Sequence, residues 1–471
     1  MNVHPTALLL NPPSKDIAIR DNFCSKISQA SYINHPIDLL FQSGYLSQSF
    51  HVELIDAIVG KFSVENCLKR INDLKPQLIY SLTGNATWPE DITFFDKIRQ
   101  ILPETKLVCS GDIFLEQPLT LLQKHPSIDA VLDDFTTDAL ARYARGEKGH
   151  YPGLVFKDTD GCFHDHRQVR ERSGTFDPPL PRHELFLPLP YRYPFIRSQR
   201  FSTVMTEFGC PFTCSFCVMG TLGCKRRPLE SLFEELQLLK KMGIRDVFFL
   251  DQSFGSDPKR NEKMCEMFIQ HFPDLRWLCF SRVDLVNESR LELMKQAGCH
   301  TIIFGVETAN ESLLKHYRKG YTRQDVQRIL ALADTLGIRT VATFLLGLPG
   351  ETWESAIETI EFARSLPCTY ASLNVAVPRM GTEMRHQALE KGYIDPSVQH
   401  FDQSGSHVVM QTDTLSRAEL KRLKQIAVRK LYLNPVRLIR MIRSIRTYDE
   451  WLIHAEEGYQ VIKRYLKNAF K

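Results

Sequence analysis

The 471-residue sequence lacks any long apolar run, and no stretch approaches the ~20 apolar residues that a membrane-spanning helix needs. The short apolar run near its start has no Lys or Arg before it, so it is not typical of a signal peptide. No internal repeat of solenoid period is visible. Hydrophobic residues make up 43% and charged residues 24% of the chain, which excludes a collagen-like or wholly disordered protein. We therefore expect a globular, cytoplasmic protein of roughly two or three domains.

The chain also has little excess of one sign of charge, because its formal net charge is only +4. It is unevenly placed, since residues 416–471 contain 14 Lys and Arg against 5 Asp and Glu. This tail, residues 406–471, is predicted as a small basic region of two or three helices, broken at Asn434-Pro435 and near Gly458. Over residues 436–446, four arginines recur every third residue, with aliphatic residues on another side of the same helix.

Such a basic amphipathic helix has two interpretations. It packs its apolar stripe on its own domain and leaves its charges in water, or it makes a peripheral contact with an anionic membrane surface. Nucleic-acid binding is not expected, because the arginines lack interleaved aromatic residues.

Residues 1–150 alternate short apolar runs with helix-length segments. The predicted strands are residues 7–10, 52–55, 78–82, 107–109 and 130–132. This alternation predicts an α/β domain with a Rossmann-like, doubly wound parallel sheet. Ligands on such sheets bind beyond the carboxyl ends of the strands. Small or polar residues occupy those ends, namely Asn11, Thr83, Gly84, Ser110 and Gly111.

The remainder of the chain divides at a cluster of prolines. Residues 151–194 are predicted to form an extended, Pro-rich linker. A second β/α series follows over residues 195–405. Its predicted strands are residues 203–206, 247–250, 275–281, 301–304, 340–346 and 371–377. Six βα units fall short of the eight of a closed barrel, so we predict an open, partial TIM-like barrel.

The twelve cysteines are unevenly spaced. A disulfide framework suits short secreted chains, and nine of the twelve are scattered singly. The other three, Cys210, Cys214 and Cys217, are spaced C-x3-C-x2-C. Three thiolates this close can hold three corners of an iron–sulfur cluster and leave one iron open for a ligand. The alternative is a structural zinc site with Cys224 as the fourth ligand.

An aromatic residue, Phe216, directly precedes the third cysteine, and the motif thereby resembles the signature of radical S-adenosylmethionine (radical SAM) enzymes. The resemblance implies a [4Fe-4S] cluster on the three cysteines, with SAM bound to the open iron and cleaved to a 5′-deoxyadenosyl radical. It also implies an electron donor such as flavodoxin or ferredoxin. Residues 345–350, including Leu345 and Gly347, would line the adenine beside the Phe216 backbone.

Other residues follow the predicted barrel strands. The resemblance implies that Arg282 and Glu307 contact the amino-acid part of SAM. The ordinary alternative is that these two side chains pair with each other or with neighbours. Many relatives carry a Gly-Gly-Glu element after the second strand, where this chain has Asp251-Gln252-Ser253. Asp251 is therefore included as a candidate cofactor contact.

Together with the barrel, the first domain resembles the cobalamin-binding domain of one radical SAM subgroup. The matching features are the Asn11-Pro12-Pro13 strand exit, residues 35–40 and the Gly-containing exit at Ser110-Gly111. The resemblance implies cobalamin at the carboxyl ends of the strands. The string Asp-x-His-x-x-Gly, which supplies a histidine to cobalt, is absent, although many members bind cobalamin without such a ligand. The alternative is a domain that has kept the fold and lost the corrin.

The function implied is a cobalamin-dependent methyltransferase that modifies an unactivated carbon of a small-molecule or lipid-like substrate. Two alternatives stay open. One is a radical cyclisation or rearrangement without methyl transfer. The other is a non-catalytic iron–sulfur or zinc-binding protein.

Overall fold

The computed structural model of the chain describes residues 4–21, 24–26, 32–398, 408–432 and 434–469. The chain forms two compact units. The first comprises Met1–Arg192 and Lys225–Leu239, and the second comprises Tyr193–Cys224 and Lys240–Lys471. No helix in the described part of the chain is long and apolar enough to cross a membrane.

The first 192 residues contain ten strands and six helices in the described ranges. The strands are β1 (Thr6–Asn11), β2 (Ala18–Ile19), β3 (Ser25–Lys26), β4 (His51–Asp56), β5 (Leu78–Leu82), β6 (Lys106–Ser110), β7 (Ala130–Leu132), β8 (Leu154–Lys157), β9 (Phe163–Asp165) and β10 (Gly174–Thr175). The helices are α1 (Ile37–Ser47), α2 (Val64–Leu74), α3 (Trp88–Ile101), α4 (Pro118–Lys124), α5 (Ala139–Ala144) and α6 (His183–Phe186).

Seven of these strands form one sheet in the order β4-β1-β5-β6-β7-β8-β9. The five strands predicted from the sequence all form, and they pair in parallel. Their apolar runs are buried, as expected for a parallel sheet with both faces covered by helices. The predicted doubly wound α/β fold is confirmed.

The segment 151–194 differs from the predicted linker. Its strands β8 and β9 extend the first sheet, because β8 pairs antiparallel with β7 and β9 pairs antiparallel with β8. The apolar run of β8 and the turn after it make a hairpin that the later prolines do not interrupt. The first unit therefore continues to Arg192 rather than ending near residue 150.

The rest of the chain contains eight strands and ten helices in the described ranges. The strands are β11 (Phe201–Val204), β12 (Glu207–Gly209), β13 (Cys224–Arg226), β14 (Asp246–Phe249), β15 (Arg276–Ser281), β16 (Cys299–Glu307), β17 (Arg339–Leu346) and β18 (Tyr370–Val375). The helices are α7 (Leu229–Lys241), α8 (Pro258–His271), α9 (Glu288–Gln296), α10 (Glu311–His316), α11 (Arg323–Thr335), α12 (Trp353–Ser365), α13 (Glu383–Glu390), α14 (Arg417–Tyr432), α15 (Pro435–Ser444) and α16 (Tyr448–Ala469).

A second sheet has the order β11-β14-β15-β16-β17-β18, and all its pairs are parallel. The strands follow one another in chain order, as in a TIM barrel, but β11 and β18 are the two edges of the sheet. The predicted open, six-stranded partial barrel is therefore confirmed. Since the strands are parallel, the loops that follow them gather at one edge.

The C-terminal region is helical, as predicted. Asn434 caps α15 by accepting hydrogen bonds from the backbone N–H groups of Val436 and Arg437, and Pro435 occupies the first turn. The break expected near Gly458 is wrong, because α16 continues through it to Ala469. One glycine inside a helix costs only about 1 kcal/mol relative to alanine. The domain boundary expected near residue 405 lies outside the described residues.

A close backbone contact marks the start of the cysteine motif. Gly209, the last residue of β12, has a φ of +77°. A Cβ on Gly209 would lie 2.1 Å from the carbonyl oxygen of Gly223. That same oxygen accepts a hydrogen bond of 2.9 Å from the Cys210 N–H. Only glycine allows the two backbone segments to approach this closely.

We expect Gly209→Ala to destabilise the protein more than Gly243→Ala does. Gly243 has the same left-handed backbone, with a φ of +76°, but a Cβ there meets nothing within 4 Å. Gly243→Ala should lower the free energy of unfolding by about 1 kcal/mol, the cost of the backbone conformation alone. Gly209→Ala should cost about 1–3 kcal/mol more, because its methyl group overlaps a carbonyl. Denaturant unfolding measures both values, and equal losses would contradict the close contact.

Candidate active site

The three cysteines of the motif lie in the loop that follows β12. Each is partly exposed, whereas eight of the other nine cysteines are buried and Cys162 is exposed. The loop closes on itself, since the Cys217 N–H donates to the Cys214 carbonyl at 3.0 Å. The motif therefore concentrates accessible thiols that the rest of the chain hides in its core.

The thiols of this loop are suited to metal binding rather than to nucleophilic attack. Burial raises the pKa of Cys217 to about 12. Burial also raises the pKa of Cys210, although the Ser253 hydroxyl 3.4 Å from its Sγ partly opposes this. Thiols with a raised pKa are protonated at neutral pH, so they become thiolates when a metal displaces the proton.

Cys224, the fourth ligand of the zinc alternative, is buried at the start of β13. In the described ranges, no three or more Cys, His, Asp or Glu side chains converge on a site for one metal ion, and this includes the three cysteines of the motif. A four-iron cluster has a different requirement, because each of three thiolates binds a different iron atom.

Arg282, which follows β15, brings a positive charge to the cysteine loop. Its Nη1 lies 3.4 Å from the Sγ of Cys214, and its guanidinium carbon lies 3.8 Å from the centre of the Phe212 ring. The Asp284 carboxylate accepts two of its hydrogen bonds, at 2.9 and 2.8 Å. Burial by itself lowers the pKa of Arg282. The hydrogen bonds and the charge of Asp284 raise it by more than that, so the net pKa is raised. This permanent cation offsets negative charge on thiolates in the loop.

Glu307, the last residue of β16, is paired with Lys319 rather than with Arg282. The Nζ of Lys319 lies 3.0 Å from Oε1 of Glu307, and both side chains are nearly buried. The carbonyl of Lys319 accepts a hydrogen bond from Arg282, so Lys319 connects the two predicted residues. Burial alone would lower the pKa of Lys319, but Tyr321 and Glu307 outweigh that effect, and the pKa is raised.

The backbone of Glu307 is strained. Its φ is +70°, and the register of β16 against β17 shifts between Gly305 and Glu307. A left-handed conformation costs a residue with a side chain about 1–2 kcal/mol. Strain of this kind is characteristic of functional sites, and here it accompanies a carboxylate at the carboxyl edge of the sheet.

The adenine segment predicted at residues 345–350 follows β17. Leu345 and Phe216 both pack against one apolar cluster that includes Tyr317 and Leu348, so the structure brings these two predicted residues together. The N–H of Gly347 donates to Oε2 of Glu351 at 2.5 Å. Glu351 is fully buried, and this burial raises its pKa to about 8.

Asp251, which follows β14, is used inside the protein. Its Oδ1 accepts from the N–H groups of Thr206 and Glu207, at 2.6 and 3.1 Å. Its Oδ2 accepts from the Thr206 hydroxyl at 2.5 Å. Burial raises the pKa of Asp251 to about 6. Asp251 thus holds the segment that leads into β12 and the cysteine loop.

In the first unit, the polar residues predicted at the carboxyl edge are engaged within the protein. Asn11 donates to Asp56 at 3.1 Å and accepts from Arg20 at 2.8 Å. Thr83 donates to a carboxylate oxygen of Asp91 at 2.8 Å. Ser110 likewise donates to Asp38 at 3.2 Å.

The two predicted glycines lie close to neighbouring groups at the same edge. A Cβ on Gly111 would lie 2.0 Å from the carbonyl oxygen of Thr83, and one on Gly84 would lie 2.3 Å from the Sγ of Cys24. His35, which matched only in sequence, is buried against the Tyr191 ring, and burial lowers its pKa to about 3. At these two positions, the absence of a side chain lets neighbouring segments of the first unit pack closely.

The barrel residues around this site match a known family. Residues 206–363, from the segment before β12 to α12, match the profile of the radical SAM superfamily. The chain contains a radical SAM domain. Its cysteine loop, Arg282, Glu307 and the adenine segment all lie within the matched range.

Sequence similarity to known proteins extends beyond the radical SAM domain. An uncharacterized methyltransferase of Pyrococcus horikoshii is 27% identical over 419 residues, which is 86% of this chain and 90% of that protein. An anaerobic magnesium-protoporphyrin IX monomethyl ester cyclase of Rubrivivax gelatinosus is 22% identical over 93% of this chain and 79% of its own length.

Solved structures with a similar fold are also known. The radical SAM methyltransferase TsrM of Kitasatospora setae, solved with cobalamin and a [4Fe-4S] cluster, has a TM-score of 0.67 and 18% identity. The match covers 89% of this chain and 85% of TsrM. The cobalamin-dependent radical enzyme OxsB, solved with aqua-cobalamin and SAM, has a TM-score of 0.60 and 18% identity. It covers 91% of this chain and 61% of OxsB.

Sequence reasoning missed two groups in the radical SAM domain. Lys319, between α10 and α11, carries the charge that pairs with Glu307. Glu207, three residues before the first cysteine, accepts hydrogen bonds from Ser256 at 2.7 and 2.9 Å. The signal in the sequence that marks Lys319 is the run Arg318-Lys319-Gly320-Tyr321. No periodic pattern marks the second.

Within the radical SAM domain, we expect Cys214→Ala to abolish iron binding, because removing one of three cluster ligands leaves the others too few. Cys162→Ala is the matched control, since that cysteine is exposed but lies outside the domain. Anaerobic reconstitution followed by measurement of iron, sulfide and visible absorbance checks both variants. Equal iron content in Cys214→Ala and the native protein would contradict the ligand assignment.

Proposed function

We propose that this protein is a radical SAM enzyme that methylates an unactivated carbon atom and uses cobalamin as its methyl carrier. The observation that carries the proposal is the loop of three accessible thiols at the carboxyl edge of the partial barrel, with Arg282 3.4 Å from Cys214. The names of the relatives favour methyl transfer over other radical reactions. The substrate class is a small or lipid-like molecule.

The donor set fits a [4Fe-4S] cluster. Cys210, Cys214 and Cys217 would hold three of its irons, and Arg282 would balance part of its charge. When bound, the cluster supplies the electron that cleaves SAM to a 5′-deoxyadenosyl radical, and cobalamin supplies the methyl group. An electron donor such as flavodoxin or ferredoxin would reduce the cluster.

The chain's own residues would orient SAM. The Glu307 carboxylate would accept hydrogen bonds from the SAM ammonium group, and Lys319 would pair with its carboxylate. Leu345 and Phe216, on one apolar cluster, would bound the adenine. Nearly buried pairing of this kind would limit the access of water to the bound SAM.

The carboxyl edge of the first sheet would hold cobalamin mainly through backbone. Asn11, Thr83 and Ser110 are engaged inside the protein, and Gly84 and Gly111 carry no side chain, so the contacts to the ring would come mainly from main-chain groups of this edge. None of these five residues is a histidine that could bind cobalt. This arrangement supports cobalamin held without a protein ligand to its metal.

Two further properties belong to this proposal. Ligation of the cluster needs reduced thiols, which supports a cytoplasmic location. The basic C-terminal helices support a peripheral contact with a membrane surface.

The deciding experiment is anaerobic. Reconstituted, reduced protein given SAM and cobalamin should release 5′-deoxyadenosine and should retain corrinoid after desalting. A verified cluster without 5′-deoxyadenosine release would overturn the radical reaction. Release without any corrinoid retention would overturn methylation and favour the cyclisation or rearrangement alternative. Cys214→Ala is the inactive control.

For the SAM contacts, we expect Glu307→Gln to weaken SAM binding by roughly 10- to 100-fold, because a hydrogen bond to a charged group contributes about 1.5–3 kcal/mol. The substitution keeps the shape of the side chain and removes its charge. Glu311→Gln, on the exposed side of α10, is the control and should leave affinity unchanged. Equilibrium dialysis with labelled SAM measures both. An unchanged affinity in Glu307→Gln would refute the assignment.

A further inference from the structure

Helix α15 packs on its own domain through its arginines. A helix of this sequence would be expected to pack through its aliphatic side instead. Arg437 is buried, and its Nη2 donates to the Ala363 carbonyl at 2.6 Å. Arg440 pairs with Asp334 and donates to the Pro367 carbonyl at 3.1 Å. Two of the four spaced arginines therefore face the protein, where they satisfy carbonyl groups near the end of α12.

The aliphatic side of α15 faces outward as a result. The exposed fractions are 68% for Val436, 41% for Leu438, 50% for Ile439 and 63% for Ile442. The outward face of the ten-residue helix α15 is thus mostly apolar. The packing of α15 through its arginines leaves this face without cover from the described residues.

Exposed aromatic residues continue this surface onto α16. Tyr448 and Trp451 are 71% and 53% exposed, and their rings stack 6.0 Å apart. Tyr459, two turns further, is 61% exposed. Of the eleven large hydrophobic side chains exposed in the described residues, seven lie between Val436 and Tyr459. Such concentration marks an interaction surface rather than scattered exposure.

The composition around this patch indicates the partner. Arg443 and Arg446 are exposed beside the aliphatic residues. Residues 460–471 add four Lys and Arg and no Asp or Glu. Aliphatic residues followed by Trp and Tyr rings, with arginines at the border, match the layered polarity of a phospholipid surface. A protein surface does not in general present a layer of anionic groups above a continuous apolar layer.

We propose that the outward faces of α15 and of the start of α16 dock on an anionic phospholipid surface. This defines the membrane contact proposed above, and it does not depend on which reaction the barrel catalyses. Val436, Leu438, Ile439 and Ile442 enter the interface with Trp451. Arg443 and Arg446 contact the phosphate groups.

The test is cosedimentation of the full-length reconstituted protein with vesicles. The protein should bind vesicles of phosphatidylcholine mixed with phosphatidylglycerol, and bind pure phosphatidylcholine vesicles far less. Raised salt should weaken the binding, because it screens the arginines. The emission of Trp451 should shift to the blue on binding. Trp451→Phe should lose this shift, since Trp88 and Trp277 are buried and Trp353 lies outside the patch with Arg422 over its ring.

Leu438→Ser, Ile439→Ser and Ile442→Ser together should lower vesicle binding by about tenfold or more, because three aliphatic groups leave the interface. The control combines Ile101→Ser and Ile269→Ser, which are 39% and 38% exposed and lie outside the patch. Release of 5′-deoxyadenosine, assayed in parallel, should be equal in all these proteins.

Three results would overturn the proposal. One is no binding to either vesicle. Another is equal loss of binding in the triple variant and the control. The third is a concentration-dependent dimer, seen by light scattering without vesicles and lost in the triple variant, which would assign the patch to a second copy of the chain.

Discussion

The parallel direction of the six barrel strands is the constraint on which the candidate site depends. Because every strand runs the same way, the loop after each one reaches the same edge. The cysteine loop, Arg282, Glu307 and the adenine segment together span more than one hundred residues of the chain. The sheet brings them to a common edge without any one loop having to be long.

Charge then organises that edge. The three thiols of the loop would bring negative charge when a metal binds, and Arg282 lies against one of them. Lys319 connects Arg282 to Glu307 through its carbonyl and its ammonium group. This chain of contacts positions one acid and two cations beside the cysteines. A zwitterionic ligand such as the amino-acid part of SAM presents the matching pair of charges.

The surface of the C-terminal region follows from a competition between two kinds of burial. Burying the aliphatic side of α15 would gain hydrophobic free energy, whereas burying Arg437 satisfies the Ala363 carbonyl at the side of α12. In this fold, the second arrangement is the one that forms. The apolar side is then left for an external partner, and the arginines nearer α16 remain at its border.

The sequence by itself determined most of the strands and marked the candidate cluster ligands. Strand apolarity predicted five of the seven strands of the first sheet and all six of the second, because buried parallel strands must be apolar on both faces. The spacing of Cys210, Cys214 and Cys217 predicted the cluster ligands, because they are neighbours in the chain and need no fold to be close. Only the tertiary structure decided which partners distant side chains take. Lys319 rather than Arg282 pairs with Glu307, Asp251 turns back to Thr206, and α15 turns Arg437 and Arg440 inward. These outcomes depend on contacts across loops and helices that no local periodicity encodes.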